Sequence, residues 1–491
     1  MRIPNRVGFG LGVSAMAMAF AGCRTTQDIL NDYERDLASG AYERAAVEVG
    51  ECAEKGGGDG LFWQLHAANA HHLTAATDES VRRFDLAEDL FLENDRESVF
   101  SRSVGGACAM MTNDKAFPYA GGGQDRIFTC FYKAMDYGAV GKMDAMRTEL
   151  NRAAQHQENW LYERRKDIEA AQERLAKDAE AYRKQNEKTA KTLTDANDSA
   201  AVSAALSDDG LAASFKSALG FDPKSDGRLE QLSTKDYLNV YVQTVCGLFR
   251  WLSGESDGGY YLRDAAALKP GFAQLQQDSA EANSGIRPKD SVWVFVEDGL
   301  CCRRKEWRMD LPTILIPGLN RYVLYAGMAF PQLEARPAAN AGYAVRADGA
   351  EIPLVELENI DRLLKTEYDV YLRGALMREI TRAIVRAGLQ VALGVAAQNV
   401  KDDATRWALI GSQYAAAAWA AAATAADLRS WTGLPKTVYA CRVPRPANGQ
   451  LLLRAGCGQT TAIPVGAGNS LVFLRQTAAA ATPVVKIVTF P

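Results

Sequence analysis

Apolar residues recur every three or four positions up to about residue 285, then every second position in short runs after residue 288. The first period is that of a helix face, and the second is that of a strand with one buried side. The chain therefore divides near Arg287-Pro288, and the expected class is α+β. A helical region at residues 23–285 precedes a β-rich region at residues 288–491.

The helical region reads as pairs. Residues 25–37 place Ile29, Leu30, Tyr33 and Leu37 on one face. Ser39-Gly40-Ala41-Tyr42 then supplies a turn, and the following Ala45 is small enough for paired helices to approach closely. This is how tetratricopeptide-like units pass from one helix to the next. Residues 61–73 and 82–92 make the next pair. Residues 125–137 carry Phe128, Phe131, Tyr132 and Met135 before Gly138 and Gly141, which are expected to break the helix. A last pair spans 238–252 and 261–269, turning at Gly254–Gly259 and ending at Pro270. Stacked helix pairs leave a concave face that commonly takes a peptide or another protein.

Between the third and fourth units runs a long helical arm, about residues 142–220. Met146, Ala153 and Trp160, then Leu161, Ile168, Leu175 and Tyr182, recur every seven residues. The intervening core positions, Gln157, Arg164, Ala171 and Asp178, are weak, so the seam is narrow and fits one antiparallel partner, with residues 201–219 the candidate. The mixed charges around it read as a solvated face, with a spacer or projecting arm as the functional alternative.

In the β-rich region, Val292, Val294 and Val296 alternate with Trp293 and Phe295. Asp298-Gly299 is expected to turn the chain into a return strand at 303–309. Residues 322–330 form another strand, and 343–346 and 351–355 flank the hairpin signal Asp348-Gly349. Residues 358–430 then read as an inserted helical hairpin, its second helix capped at Asp402-Asp403. That helix is alanine-rich around Trp419 and has no charge from Trp407 to Ala426. Membrane insertion and a buried or self-associating hairpin both remain open. Strands at 437–443, 451–454, 460–465, 470–476 and 484–490 are expected to pair with those of 291–355, closing a β-sandwich-like domain around the insertion.

The amino terminus changes the picture. Arg2 and Arg6 precede an apolar run from Val7 to Phe20, too short to span a bilayer and of signal-peptide length. Phe20-Ala21-Gly22-Cys23 follows, resembling the lipobox of bacterial lipoproteins. Residues 1–22 are thus the expected signal peptide and Cys23 the expected lipidation site, where the thiol takes a diacylglycerol group. A plain secretory leader with a chance cysteine, or a membrane-anchored helix, is the alternative. Arg24 is not the aspartate that often marks retention in the inner membrane, which favours an outer-membrane anchor facing the periplasm.

The formal charge of −4 drops by two when the leader leaves, so nothing draws the chain to nucleic acid. Of the nine cysteines, eight remain after acylation, an even number in an oxidising compartment. Cys441 and Cys457 flank an expected hairpin and are the candidate disulfide; two free thiols are the alternative. The adjacent Cys301 and Cys302 cannot pair with each other without strain.

Chemistry is sparse. His66, His71 and His72 share one helix at spacings that do not set two imidazoles on one face, and His156 lies on the arm. Gly56–Gly58 and Gly121–Gly123 lack the context of a phosphate loop. Arg303-Arg304-Lys305 is a small basic patch, read first as protection of a strand edge. No motif selects a catalytic residue, a cofactor or a metal.

Several short stretches resemble a family of bacterial envelope lipoproteins with a tetratricopeptide-like first half and a β-rich second half. They are Tyr132-Lys133-Ala134-Met135 with Gly141, residues 147–153, residues 325–331, residues 378–386, and Asp427-Leu428-Arg429-Ser430-Trp431 before Leu434-Pro435. The resemblance implies architecture and compartment, and no activity. The leading expectation is a lipid-anchored scaffold whose helical half binds a periplasmic or outer-membrane protein. A self-assembling envelope component, with homo-oligomer contacts through the Ala-rich hairpin, comes second. A peptidoglycan-acting enzyme comes third.

Overall fold

The computed structural model describes residues 24–104, 114–160, 237–310 and 323–490, with a few isolated positions between. Cys23 and its leader, and the arm beyond residue 160 with its expected partner helix, lie outside the described residues.

The chain starts with α1 (Thr26–Ser39), α2 (Tyr42–Lys55), α3 (Gly60–His72), α4 (Thr77–Val104) and α5 (Gly123–Ala139). Residues 143–160 form α6. Then come α7 (Val240–Leu252), α8 (Gly258–Leu268) and α9 (Ala273–Asn283). The α1 start is fixed by a capping box between Thr25 and Asp28, and its end by Gly40 at φ 75°. Successive helices pack on one another, as expected of helix pairs. The break after α5 falls at Gly141, at φ 76°, and not at Gly138. Gly138 stays helical because it is a point of close approach: a Cβ there would lie 2.5 Å from Met146 Sδ and 2.7 Å from Val488 Cγ2. The seam residues Met146, Ala153 and Trp160 face the core.

The strands are β1 (Ser291–Asp298), β2 (Arg303–Asp310), β3 (Gly327–Glu334), β4 (Tyr343–Ala347), β5 (Ala350–Pro353) and β6 (Val355–Asn359). After the helices α10 (Ile360–Asn399) and α11 (Asp403–Ala423) come β7 (Thr437–Pro444), β8 (Gln450–Ala455), β9 (Thr460–Pro464), β10 (Asn469–Gln476) and β11 (Val484–Phe490). One sheet has the order β11-β10-β1-β7-β6, with β1 parallel to β10 and antiparallel to β7. A second has the order β5-β4-β8-β9, and β2 and β3 pair apart from both. The strands on either side of the hairpin thus complete each other's sheets. Asp348 and Gly349 both take positive φ, as the β4–β5 hairpin requires.

The alternation along β1 explains the layering. Val292, Val294 and Val296 join Val345, Leu451, Leu453 and Ile463 in a core between the two larger sheets. Trp293 and Phe295 point the other way. They join Leu471, Phe473, Val488 and Phe490 in a core that continues through Tyr33, Phe62, Phe128, Tyr132, Tyr241 and Phe249 of the helices. The order of layers is helices, five-stranded sheet, four-stranded sheet. The sheet lies against the inner face of the helices, so the two halves share one core.

Three expectations need correction. The segment after β1 does not return beside it, because both edges of β1 are taken, by β10 and by β7; β2 pairs with β3 instead. The helix α11 stops at Ala423, well before Ser430. Thr424 donates its hydroxyl to Ala420 O (2.7 Å), and the chain runs on as buried irregular backbone. Cys441 and Cys457 are free thiols. They do not flank a hairpin, since β7 and β8 belong to different sheets: Cys441 is buried in the inter-sheet core, while Cys457 is exposed in the turn after β8.

Candidate functional site: the helical hairpin

The hairpin of α10 and α11 has a fixed base and an open far end. At 1.5 Å per residue, the 40 residues of α10 extend about 60 Å. Tyr368, Leu372, Leu376, Ala383 and Ala387 pack against Met328 and Phe330 of β3. Asp114 clamps the base: it accepts from Arg378 Nη2 (2.7 Å) and Tyr371 OH (2.9 Å), and pairs with Arg382 (2.9 Å). Burial opposes ionisation of Asp114, but the two guanidiniums outweigh it and hold the carboxyl at about 2. Glu367 of α10 accepts from the Gln124 N–H at the start of α5 (2.7 Å), a favourable place for a carboxylate. Arg429, buried below the hairpin, reaches Asp59 (2.7 Å), Asp427 (2.8 Å) and the Phe117 carbonyl (2.9 Å). These contacts tie the hairpin to the helical layer.

The far end is built differently. Asp402 accepts from the Thr405 N–H (2.7 Å) and caps α11 as expected. The inward face of α11 holds Gln413, Ala417 and Ala420. Its aromatic side chains are exposed, Trp407 at 70%, Tyr414 at 62% and Trp419 at 38% with the Arg386 guanidinium over its ring, while Leu409 and Ile410 are half-buried. This inverts the usual amphipathic arrangement, in which the polar side faces water. Between the exposed aromatics lie Gly411, Ala415 and Ala418, and beyond them Ala422, all exposed. An added Cβ at Gly411 would meet nothing within 4 Å. Ordinarily an interior helix glycine marks a kink or a close approach. Among the described residues nothing lies within 4 Å of a Cβ built at Gly411.

Other clusters of reactive side chains are accounted for by the fold. Glu88, Cys130 and Glu149 converge closely enough for a metal ion. The Lys133 ammonium already holds that place, 3.1 Å from both Glu88 and Glu149 and 2.7 Å from Asp85. Ser80, Asp136 and His72 have the composition of a catalytic triad but the wrong connectivity. Asp136 sits in the middle, accepting from Ser80 Oγ (2.7 Å), bonded to His72 Nδ1 (2.9 Å) and paired with Lys486. No serine–imidazole bond activates a nucleophile there. Glu297 accepts from Tyr241 (3.0 Å) and Tyr132 (3.3 Å) at the junction of helices and sheet, and its burial raises its carboxyl despite nearby Arg475. His66 packs edge-on or tilted among Tyr33, Phe62 and Trp63 and is held at about 4 by burial. His71 is on the same helix but half-buried, so the three histidines do not converge.

The sequence marked the hairpin as alanine-rich and uncharged but not which way its aromatics face. Spacing held that signal: Trp407, Gly411, Tyr414, Ala418 and Ala422 follow one another at three- and four-residue steps. Among the described residues no helix is long and apolar enough to cross a membrane. Comparison with protein-family models, curated proteins and solved structures finds no match.

Proposed function

We propose that this chain is a non-catalytic docking component of a bacterial cell envelope, lipid-anchored at Cys23 to the outer membrane and facing the periplasm, that engages another protein through the outer face of α11. The observation that carries the reading is the inverted helix: Trp407 and Tyr414 stand in water while Gln413, Ala417 and Ala420 are inside. Exposed tryptophan and tyrosine are the residues that most often anchor protein interfaces. The helical groove is a weaker candidate for docking, because the five-stranded sheet covers its inner face.

Insertion of the hairpin into a bilayer is disfavoured by Lys401, Asp402, Asp403 and Arg406 at its tip. Each such charge costs roughly 2.5–3.5 kcal/mol at mid-membrane. The test is photocrosslinking in cells from a photoreactive residue at position 407 or 414, with 413 and 417 as inward-facing controls. Protein adducts from 407 and 414 alone are expected. Equal labelling from all four positions, or none, overturns the reading.

A further inference from the structure

We propose that the occupant of the α11 outer face is α11 of a second copy of this chain, packed antiparallel about a two-fold axis between Tyr414 and Ala415. The inference rests on α11 being the docking face and names what docks there. Large and small side chains alternate along that face in a self-complementary order. In the antiparallel register centred between Tyr414 and Ala415, Trp407 meets Ala422, Gly411 meets Ala418, and Tyr414 meets Ala415. The rings of Trp407 and Tyr414 fall opposite alanines, and the glycine opposite another small residue, as interdigitated packing requires, while Trp419 at the flank falls opposite Ile410. In a parallel register Trp407 meets Trp407 and Gly411 meets Gly411, ring on ring and gap on gap. The symmetric arrangement is isologous, so one surface serves both partners.

Gly411 fits the same reading. Among the described residues a Cβ there would meet open space, so no packing inside the chain calls for the missing side chain, yet it weakens the helix. A second helix brought close at that level gives it a use. The face also carries no charge from Trp407 to Ala426, so two copies meet without burying like charges. Antiparallel packing further sets the helix dipoles in a favourable sense.

The area agrees with a dimer that dissociates on dilution. The 21 residues of α11 extend about 31 Å, and one helix is about 10 Å wide. The buried face is then roughly 300 Å² per copy and about 600 Å² in total, in the range of weak, transient association.

The experiment uses two differently tagged full-length copies coexpressed in cells, in a Cys108→Ser, Cys457→Ser background; Cys457 is the exposed thiol among the described residues, and Cys108 lies outside them. One carries Gly411→Cys and the other Ala418→Cys. A disulfide-linked heterodimer is expected, with no homodimer from Gly411→Cys alone. Position 411 accepts the new side chain without a clash, so the variant folds. Sedimentation of the purified full-length chain is expected to show a concentration-dependent dimer. Trp407→Ala weakens it about 100-fold, roughly tenfold for each of the two symmetry-related contacts.

Homodimers of Gly411→Cys overturn the antiparallel register. A chain that stays monomeric, while position 407 crosslinks to a different protein, overturns the second copy and leaves the docking face standing. A monomeric chain with no crosslink at 407 removes both.

Discussion

Replacing Phe295 with alanine tests whether the helical and β-rich halves are one folding unit. Phe295 is 1% exposed, in the middle of β1 on the side toward the helices. Its ring stacks on Phe473 of β10 at 5.4 Å and lies 5.5 Å from Tyr241 of α7. Removing it takes a partner from both layers and leaves a cavity between them, a loss of about 3–5 kcal/mol for a buried phenylalanine. With a urea dependence of about 3 kcal/mol per molar, the midpoint falls by about 1–1.7 M. The assay is urea unfolding followed by far-ultraviolet dichroism, dominated by the helices, and by tryptophan fluorescence, which includes Trp293 and Trp251 at the junction. The two signals are expected to move together. If the helical signal keeps its wild-type midpoint while fluorescence shifts, the halves have separate cores. The helical groove is then free, and the argument that directs docking to the hairpin fails.

The Asp114 clamp makes a pH prediction. Its folded carboxyl lies below the ordinary value, so its stabilisation is complete above about pH 4 and is lost as pH falls through about 2. The effect is roughly 2 kcal/mol, and Asp114→Asn is expected to flatten the acid limb of the stability curve by that amount; an unchanged limb refutes it. Two glycines should respond with opposite signs in thermal melts. Gly138→Ala pushes a methyl into Met146 and Val488 and destabilises by about 1 kcal/mol, whereas Gly411→Ala enters open space and stabilises by about 0.5–1 kcal/mol. For the anchor, mass spectrometry of the N-terminal peptide from membranes should find diacylglycerol on Cys23, and Cys23→Ser should release the chain. An unmodified Cys23, or a mutant still in the membrane, removes the lipoprotein reading.

Much of the fold was legible because it rests on local periodicity. The 2-residue alternation of β1 told both of its faces correctly, since a strand covered on two sides still sorts its residues by parity. The start of α11 was visible in Asp402, and the β4–β5 turn in Asp348-Gly349. What was not legible depends on pairing across long separations. Nothing near Arg303 shows that both edges of β1 are taken by strands about 140 and 180 residues downstream. The cysteine pairing failed for the same reason, because adjacency in sequence did not mean a shared sheet. Glu297 and Lys133, ionisable residues in otherwise apolar stretches, acquire meaning only when partners from other elements arrive.

The hairpin shows how a surface can be stable as a monomer and still incomplete. Its base is held by a packed apolar cluster and a buried ion-pair clamp, whereas α11 buries only Gln413 and two alanines on its inner side. An aromatic side chain presents about 150–250 Å², so covering the exposed parts of Trp407 and Tyr414 gains about 3 kcal/mol each before the cost of association. That exceeds the penalty of about 1 kcal/mol for the helix glycine between them. The balance reverses in the isolated chain, where the glycine weakens α11 and the rings gain nothing. Gly411→Ala therefore separates the two demands. It strengthens the helix, but its methyl meets Ala418 of the partner, so the same substitution that raises the melting temperature should weaken association. A variant that gains both stability and dimer affinity would mean that Gly411 is not a contact point, and the two-fold register would have to be abandoned.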